Sequence, residues 1–283
     1  MDPRNYQILA LSGFIWFGVS QLGFQVDVDV ACAIVCSALL SQLLLFLPRT
    51  LSGSFFIQFV GQAKSALISS LSLVLLLRTD VVFVAMVTAV LAIASKRFIC
   101  FNGSHFFNPS ACALVLVTLL SSQAYISPGQ WGALGLAAFA VTGMGLLVVT
   151  RAQRLDVALA FLLSFAAIVL VRGWVLGDPN AIALHQLQSG ALLLFTFFMI
   201  TDPKTTPQNR AGRVVFGISV AAVAAVLQFS FYLAAAPIFA LVVLAPLVPV
   251  FNHFSNSRKK TDVKENTNPV SYTHLTLPTN REV

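Results

Sequence analysis

The sequence predicts an all-α integral membrane protein with about ten transmembrane helices in two inverted five-helix repeats. Three observations predict this fold class: the composition, the apolar segments and the distribution of positive charge. Hydrophobic residues make up 58% of the 283 residues and charged residues 10%, which leaves too little polar surface to cover a soluble globule. Because the charges fall between apolar runs, we expect residues 1–255 to form a single polytopic membrane domain.

Ten apolar segments follow one another along the chain, and each is predicted to be a helix. They are too long and too uniformly apolar for the strands of a transmembrane barrel. The first has no strong basic stretch before it, which favours an uncleaved spanning helix over a signal peptide. The segments are 6–24, 30–48, 65–77, 81–95, 109–120, 132–150, 155–176, 189–200, 214–231 and 235–251.

Lysine and arginine predict the orientation, because short cytoplasmic loops of membrane proteins are enriched in positive residues. Ten crossings place both termini and the even-numbered loops on one side of the membrane. That side holds fifteen of the 17 basic residues, and only Arg78 and Arg172 lie opposite. We therefore expect both termini to be cytoplasmic, and the net charge of +7 to orient the chain rather than to bind nucleic acid.

The C-terminal residues turn polar after the last apolar segment. Residues 256–269 are predicted to be a polar cytoplasmic tail. Residues 270–283, "VSYTHLTLPTNREV", have no helical periodicity and resemble a translated sequencing adapter, the alternative being an ordinary disordered tail. On the first interpretation the natural C-terminus is missing and His274 has no role.

Cysteine and histidine could indicate a metal site, but the pattern favours none. Two of the four cysteines are one helical turn apart and the other two are on distant segments, so small buried hydrophobes are the favoured interpretation. An iron–sulfur site shared with a partner subunit stays open. His105 and His185 are in loops on opposite sides, and no catalytic constellation is present. The cysteines are Cys32, Cys36, Cys100 and Cys112.

Two pairs of similar segments predict an internal repeat, over about residues 1–125 and 126–255. "KSALISSLSLVLLLRTD" (64–80) and "QSGALLLFTFFMITD" (188–202) are each the third segment of five, begin with small residues and end in Thr-Asp. "NPSACALVLVTLL" (108–120) and "APIFALVVLAPLV" (236–248) are the fifth segments, with proline second. Since five is odd, the second half would be inverted in the membrane; chance similarity of apolar runs is the alternative.

The segment 189–200 is too short to cross a membrane and is therefore a candidate site. At about 1.5 Å per residue it spans roughly half of a hydrocarbon core about 30 Å thick. Half-helices leave backbone groups for a ligand, and the N–H groups at Ser189 and Gly190, near the outer face, would suit a phosphate or another anion. Alternatively, Ser-Gly only lets two helices pack closely.

Several motifs resemble a known family. "FNPSA" (107–111), preceded by "SKRF" (95–98), and "SGA…FFMITDPKTTP" followed by "GRVVFG" (189–217) resemble two related membrane proteins, RnfD of Rnf-type electron transport complexes and NqrB of the sodium-pumping NADH:quinone oxidoreductase. The similarity spans most of residues 30–250. It implies a ten-helix inverted-repeat fold like that of urea transporters, in a bacterial inner-membrane complex that couples electron transfer through flavins to ion movement.

The resemblance also implies a cofactor site. In that family a Ser-Gly-Ala-Thr motif carries flavin mononucleotide (FMN) on the threonine hydroxyl; here Ser189, Gly190 and Ala191 match, but Leu192 has no oxygen. Covalent FMN is therefore not expected, whereas noncovalent FMN or riboflavin stays open. A further candidate is the helix start at Asn108 and Pro109, whose amide could face the centre.

The sequence "TDPKTTP" after the short segment is interpreted as a structural turn. Pro203 cannot extend a helix, Asp202 can bond to nearby backbone, and Lys204 can anchor the loop at the cytoplasmic surface. The alternative is a docking surface for partner subunits or an entry point for a cation at Asp202.

Three functions remain open from the sequence. The favoured one is a membrane subunit of an Rnf- or Nqr-like complex, with other membrane subunits as partners and no enzymatic activity of the chain alone. The alternatives are a solute or ion channel or transporter on the same fold, and a cofactor-free accessory membrane protein like those of enediyne biosynthesis clusters.

Overall fold

The computed structural model describes residues 3–21, 23–46, 55–127, 145 and 153–252, and within these the chain is predominantly helical. Two pairs of two-residue antiparallel strands, β1 (Leu77–Arg78) with β4 (Tyr125–Ile126) and β2 (Cys100–Phe101) with β3 (Ser104–His105), join loops. The helices are α1 (Pro3–Gln21), α2 (Val28–Leu45), α3 (Phe55–Leu76), α4 (Val82–Phe98), α5 (Pro109–Leu120), α6 (Leu155–Leu176), α7 (Asn180–Leu187), α8 (Gly190–Leu194, continued by a π-helical turn, Phe195–Met199), α9 (Arg210–Ser230) and α10 (Ala236–Leu244).

The predicted segments that fall on described residues all coincide with helices. The sixth, 132–150, is outside them apart from the helical Gly145, and so is the tail from residue 253. Two predictions were wrong in detail. Helix α3 begins at Phe55, ten residues before the predicted 65, and α7 was not predicted at all.

Three of these helices are long and apolar enough to cross a membrane: α2, α6 and α9. A fourth span is formed if α7 and Gly190–Met199, which are bent by 46°, are taken together. Two shorter apolar helices are Val60–Leu76 and Pro109–Leu120. By length and composition the described residues therefore form a multi-pass α-helical membrane protein, while ten crossings and the inverted repeats stay predictions.

Small residues bring the helices close together. Helix α6 packs along α9, and α2 packs against α4. At the α6–α9 crossing, a Cβ atom on Gly217 would be 2.9 Å from the backbone oxygen of Val157 and 3.1 Å from Phe161 N. Only glycine permits this approach, which is the usual way helices associate in a membrane.

Contacts between loops follow the predicted grouping of the loops. β1 and β4 pair the loop after α3 with the loop after α5, both predicted to be external. On the other side, Arg213 Nε donates to both oxygens of Asp156 at 2.8 and 2.7 Å, and Gln208 N donates to Asn252 Oδ1 at 2.8 Å. These contacts join loops that the charge pattern assigns to the same side.

Candidate functional site

The short segment at Ser189 is a broken helix. Helix α7 ends at Leu187, Ser189 is the N-cap of α8 with extended backbone, and the chain bends by 46° at the break. After one turn the helix widens: Ile200 N donates to the oxygen of Phe195 at 3.0 Å, a bond across five residues that defines a π turn. Such turns often occur at functional sites.

Next to the start of α8 is a cavity of about 280 Å³. Its wall includes Ser189, Gly190, Ala191 and Leu192, which are the four positions that the sequence singled out. The remaining lining comes from α3, β4, α6, α7, the π turn, α9 and the start of α10: Leu76, Ile126, Phe165, His185, Gln186, Phe195, Gln228, Ala234, Ala235, Pro237 and Ile238.

The cavity is mainly apolar, with a few polar side chains among its lining. These are His185, Gln186, Ser189 and Gln228, and none of the described lining residues is Lys, Arg, Asp or Glu. A mostly apolar wall with few polar groups is typical of small-molecule sites. Gln186 and Gln228 were not predicted as site residues; the only signal for Gln228 was an isolated amide in the last turn of an apolar helix.

Asn108 and Pro109 are at the other end of the same broken segment and do not line the cavity. Asn108, 7% exposed, is the N-cap of α5: its Oδ1 accepts from Ala111 N at 3.1 Å, and its Nδ2 donates to Met199 O at 3.2 Å. Pro109 occupies the first turn, where its missing N–H costs nothing. The amide therefore satisfies a carbonyl where the short segment ends.

Comparison with known proteins settles the family. The model of the NQR2, RnfD, RnfE family matches residues 120–261, which is half of the chain. The chain belongs to this family. The resemblance inferred from the motifs is thereby confirmed.

Curated relatives of this NQR2/RnfD/RnfE-family chain are, by name, the RnfD-type subunit of an ion-translocating oxidoreductase complex. The protein from Stutzerimonas stutzeri is 30% identical over 112 residues, which is 40% of this chain and 32% of the relative. Those from Escherichia coli K12 and Escherichia coli O1:K1 / APEC are 36% and 38% identical over 69 residues, 24% of this chain and 19% of each relative. The matches span about a third or less of these relatives.

In this family member, Asp202 organises the turn that ends the short segment. Its Oδ1 accepts from Lys204 N at 3.0 Å, and its backbone oxygen accepts from Thr206 Oγ1 at 2.8 Å. An aspartate that bonds to the backbone two residues later forms an Asx turn. Pro203 and Lys204 are exposed beside it, so a docking role for this turn stays a prediction.

A buried lysine joins α4 to α3 on the predicted cytoplasmic side. Lys96 Nζ donates to Ser65 O at 3.0 Å and to Ser69 Oγ at 2.9 Å. His105, on the nearby β3, is half-buried, and this burial lowers its pKa; Asp202 raises it, while Lys204 and Lys96 lower it. The imidazole of His105 is therefore neutral at pH 7, because its ordinary pKa is already below 7.

The family member's cysteines do not converge on a site. Cys32, Cys36 and Cys100 are exposed and Cys112 is buried. Among the residues described, no three His, Cys, Asp or Glu side chains are grouped closely enough to hold a metal ion. The roles of the cysteines stay open.

Proposed function

We propose that this chain is a membrane subunit of an Rnf- or Nqr-like complex, in the bacterial inner membrane, that assists electron transfer coupled to ion translocation. Its family membership, its apolar spanning helices and the name of its relatives support this proposal. Its partners would be other membrane subunits of the complex. Both termini would be cytoplasmic.

The cavity at the start of α8 is the observation that carries the proposal. Its volume of about 280 Å³ is near the lower end of the range for small-molecule pockets, roughly 300 Å³. Phe165 and Phe195 offer aromatic surface for a planar ring, and Gln186 and Gln228 offer amides for its polar edge. A flavin ring fits this arrangement, and it would supply redox chemistry when bound.

The lining favours an uncharged flavin over a phosphorylated one. No Lys or Arg is among the described lining residues, so a phosphate would lack a cationic partner. We therefore propose noncovalent riboflavin as the better ligand and FMN as the weaker one. The side chains named above would bind and orient the ring, and the apolar wall would exclude water.

Covalent attachment has no suitable oxygen at the expected position. Leu192 has no hydroxyl, and the nearest threonine along the helix, Thr196, is fully buried and donates to Leu192 O at 2.7 Å. The proposed subunit therefore functions without covalent FMN.

Flavin binding can be tested on the purified chain in mild detergent. We expect riboflavin to bind more tightly than FMN, measured by quenching of flavin fluorescence. Leu192→Trp fills the cavity and should weaken riboflavin binding by about tenfold or more, equivalent to about 1.4 kcal/mol. Leu163→Trp is the matched control, because Leu163 is on the outer surface of α6 with 64% exposure.

Two results would contradict this proposal. Equal affinities of the two tryptophan variants would place the flavin outside this cavity. A colourless protein that binds no flavin but passes solutes into liposomes would favour the channel or transporter function.

A further inference from the structure

Arg78 is located where α3 ends inside the protein. The residues around this end, Leu75, Leu76 and Leu77, are each 2% exposed, and Arg78 itself is only 9% exposed. The last carbonyls of a helix have no partner within the helix, and burial removes water as a substitute. This helix end therefore needs donors from elsewhere.

The guanidinium of Arg78 supplies most of these donors. Its Nη1 donates to Val74 O at 3.0 Å and to Leu77 O at 2.7 Å, and its Nη2 is 3.4 Å from Leu75 O. The fourth carbonyl, of Leu76, accepts from Ser127 N at 3.0 Å. Three carbonyls thus surround one positive charge at the negative end of the helix dipole, as they would surround a bound cation.

A second cavity, of about 370 Å³, lies against Arg78 and is separate from the one at α8. Arg78 forms part of its wall, together with the carboxylates of Asp27 and Asp80 and the phenol of Tyr125. Asp80 is exposed, so the cavity has access to solvent through a negatively charged rim. Two carboxylates attract cations toward the position of the guanidinium.

We propose that the end of α3 and this cavity together form a cation site whose resident cation is the chain's own Arg78. The site selects a guanidinium-type monovalent cation, because the three carbonyls are arranged to accept from a planar fork of N–H donors. When the arginine side chain is removed, a free guanidinium ion from solution enters through the cavity and binds in its place. The site is independent of flavin binding, which concerns other residues.

The test is chemical rescue of Arg78→Ala in the full-length purified protein. The variant leaves three buried carbonyls without donors, so its melting temperature falls below that of the wild type. Low-millimolar guanidinium chloride should raise the melting temperature of Arg78→Ala, since a ligand that binds only the folded state stabilises it. Sodium chloride at the same ionic strength should not.

Arg97→Ala is the matched control, because Arg97 is an exposed arginine at the end of α4. Neither this variant nor the wild type should gain from guanidinium. An equal response of all three proteins, an equal response of Arg78→Ala to sodium chloride, or no response of a folded Arg78→Ala would overturn the proposal.

A second pair of variants applies even where Arg78→Ala does not fold. Arg78→Lys keeps the positive charge, whereas Arg78→Gln keeps N–H donors without charge. If the position is a cation site, the lysine variant melts at a higher temperature than the glutamine variant. The reverse order would show that hydrogen bonding alone, and not a cation, satisfies this helix end.

Discussion

Leu192 is the residue at which this chain differs from the flavin-carrying motif of its family, and its side chain is at the wall of the α8 cavity. We expect that Leu192→Thr, co-expressed with a flavin transferase that acts on the outer side, shows a fluorescent band in a denaturing gel. The wild type, treated identically, should show none. The reason is that threonine supplies the missing oxygen next to the cavity.

A fluorescent wild-type band would contradict the claim that the leucine prevents attachment. Thr196→Ser is a useful control, because that hydroxyl is buried within the helix and should not gain a flavin in either background. A dark Leu192→Thr band would mean that this position is not the attachment site in this chain.

Some residues of the candidate site could be predicted from the sequence and others could not. Ser189 to Leu192 stood out because a short segment and a motif mark them locally. Gln228 did not, because it reaches the cavity from the far end of α9, and such convergence depends on packing. Arg78 was visible as a charge directly after an apolar run, but its three carbonyl partners only became apparent in the structure.

The crossing of α6 and α9 depends on the absence of a side chain at Gly217. We expect Gly217→Ala to lower the melting temperature, because its methyl group would be 2.9 Å from Val157 O, and overpacking typically costs about 1–3 kcal/mol. Gly173→Ala on α6 is the control, since the nearest atoms there are 4.0 Å away. That variant should be neutral or stabilising, because alanine favours a helix. A Gly217→Ala protein as stable as wild type would contradict the close packing.

Most helices were predicted because long apolar runs are unambiguous, and the errors have physical causes. Helix α7, "NAIALHQL", mixes polar and apolar residues over two turns and gives no membrane signal. The first turns of α3 contain Gly61, Gln62 and Lys64, which ended the predicted segment although the backbone continues as a helix. Hydropathy finds the part of a helix in lipid and misses the part outside.

Membrane orientation is a property of the whole chain and follows from the separation of basic residues. We expect reporter fusions after Arg154 and after Arg213 to be cytoplasmic and a fusion after Ser127 to be external. The ion pair between Asp156 and Arg213 supports the first two lying on one side. Ser127, bonded to Leu76 O, belongs to the other group of loops. A reversed reporter at either basic loop would contradict the ten-segment topology.

The two third segments of the predicted repeats end in a similar way in the whole molecule. Helix α3 ends at buried carbonyls that Arg78 satisfies, and the short segment ends at Met199, whose carbonyl accepts from Asn108. Each half-length segment therefore has its C-terminal end covered by a polar side chain. This similarity supports the repeat, but the two side chains are not equivalent in charge.

The bond between Asn108 and Met199 also has a consequence for the chemical ageing of the protein. Asparagine ordinarily deamidates when the backbone nitrogen of the next residue attacks its side-chain carbonyl and forms a cyclic imide. The next residue here is Pro109, whose nitrogen has no hydrogen and cannot react in this way. Deamidation would turn a donor into a carboxylate facing the oxygen of Met199. The Asn-Pro order closes that route, so this contact between the two halves of the chain keeps its chemistry for as long as the protein lasts.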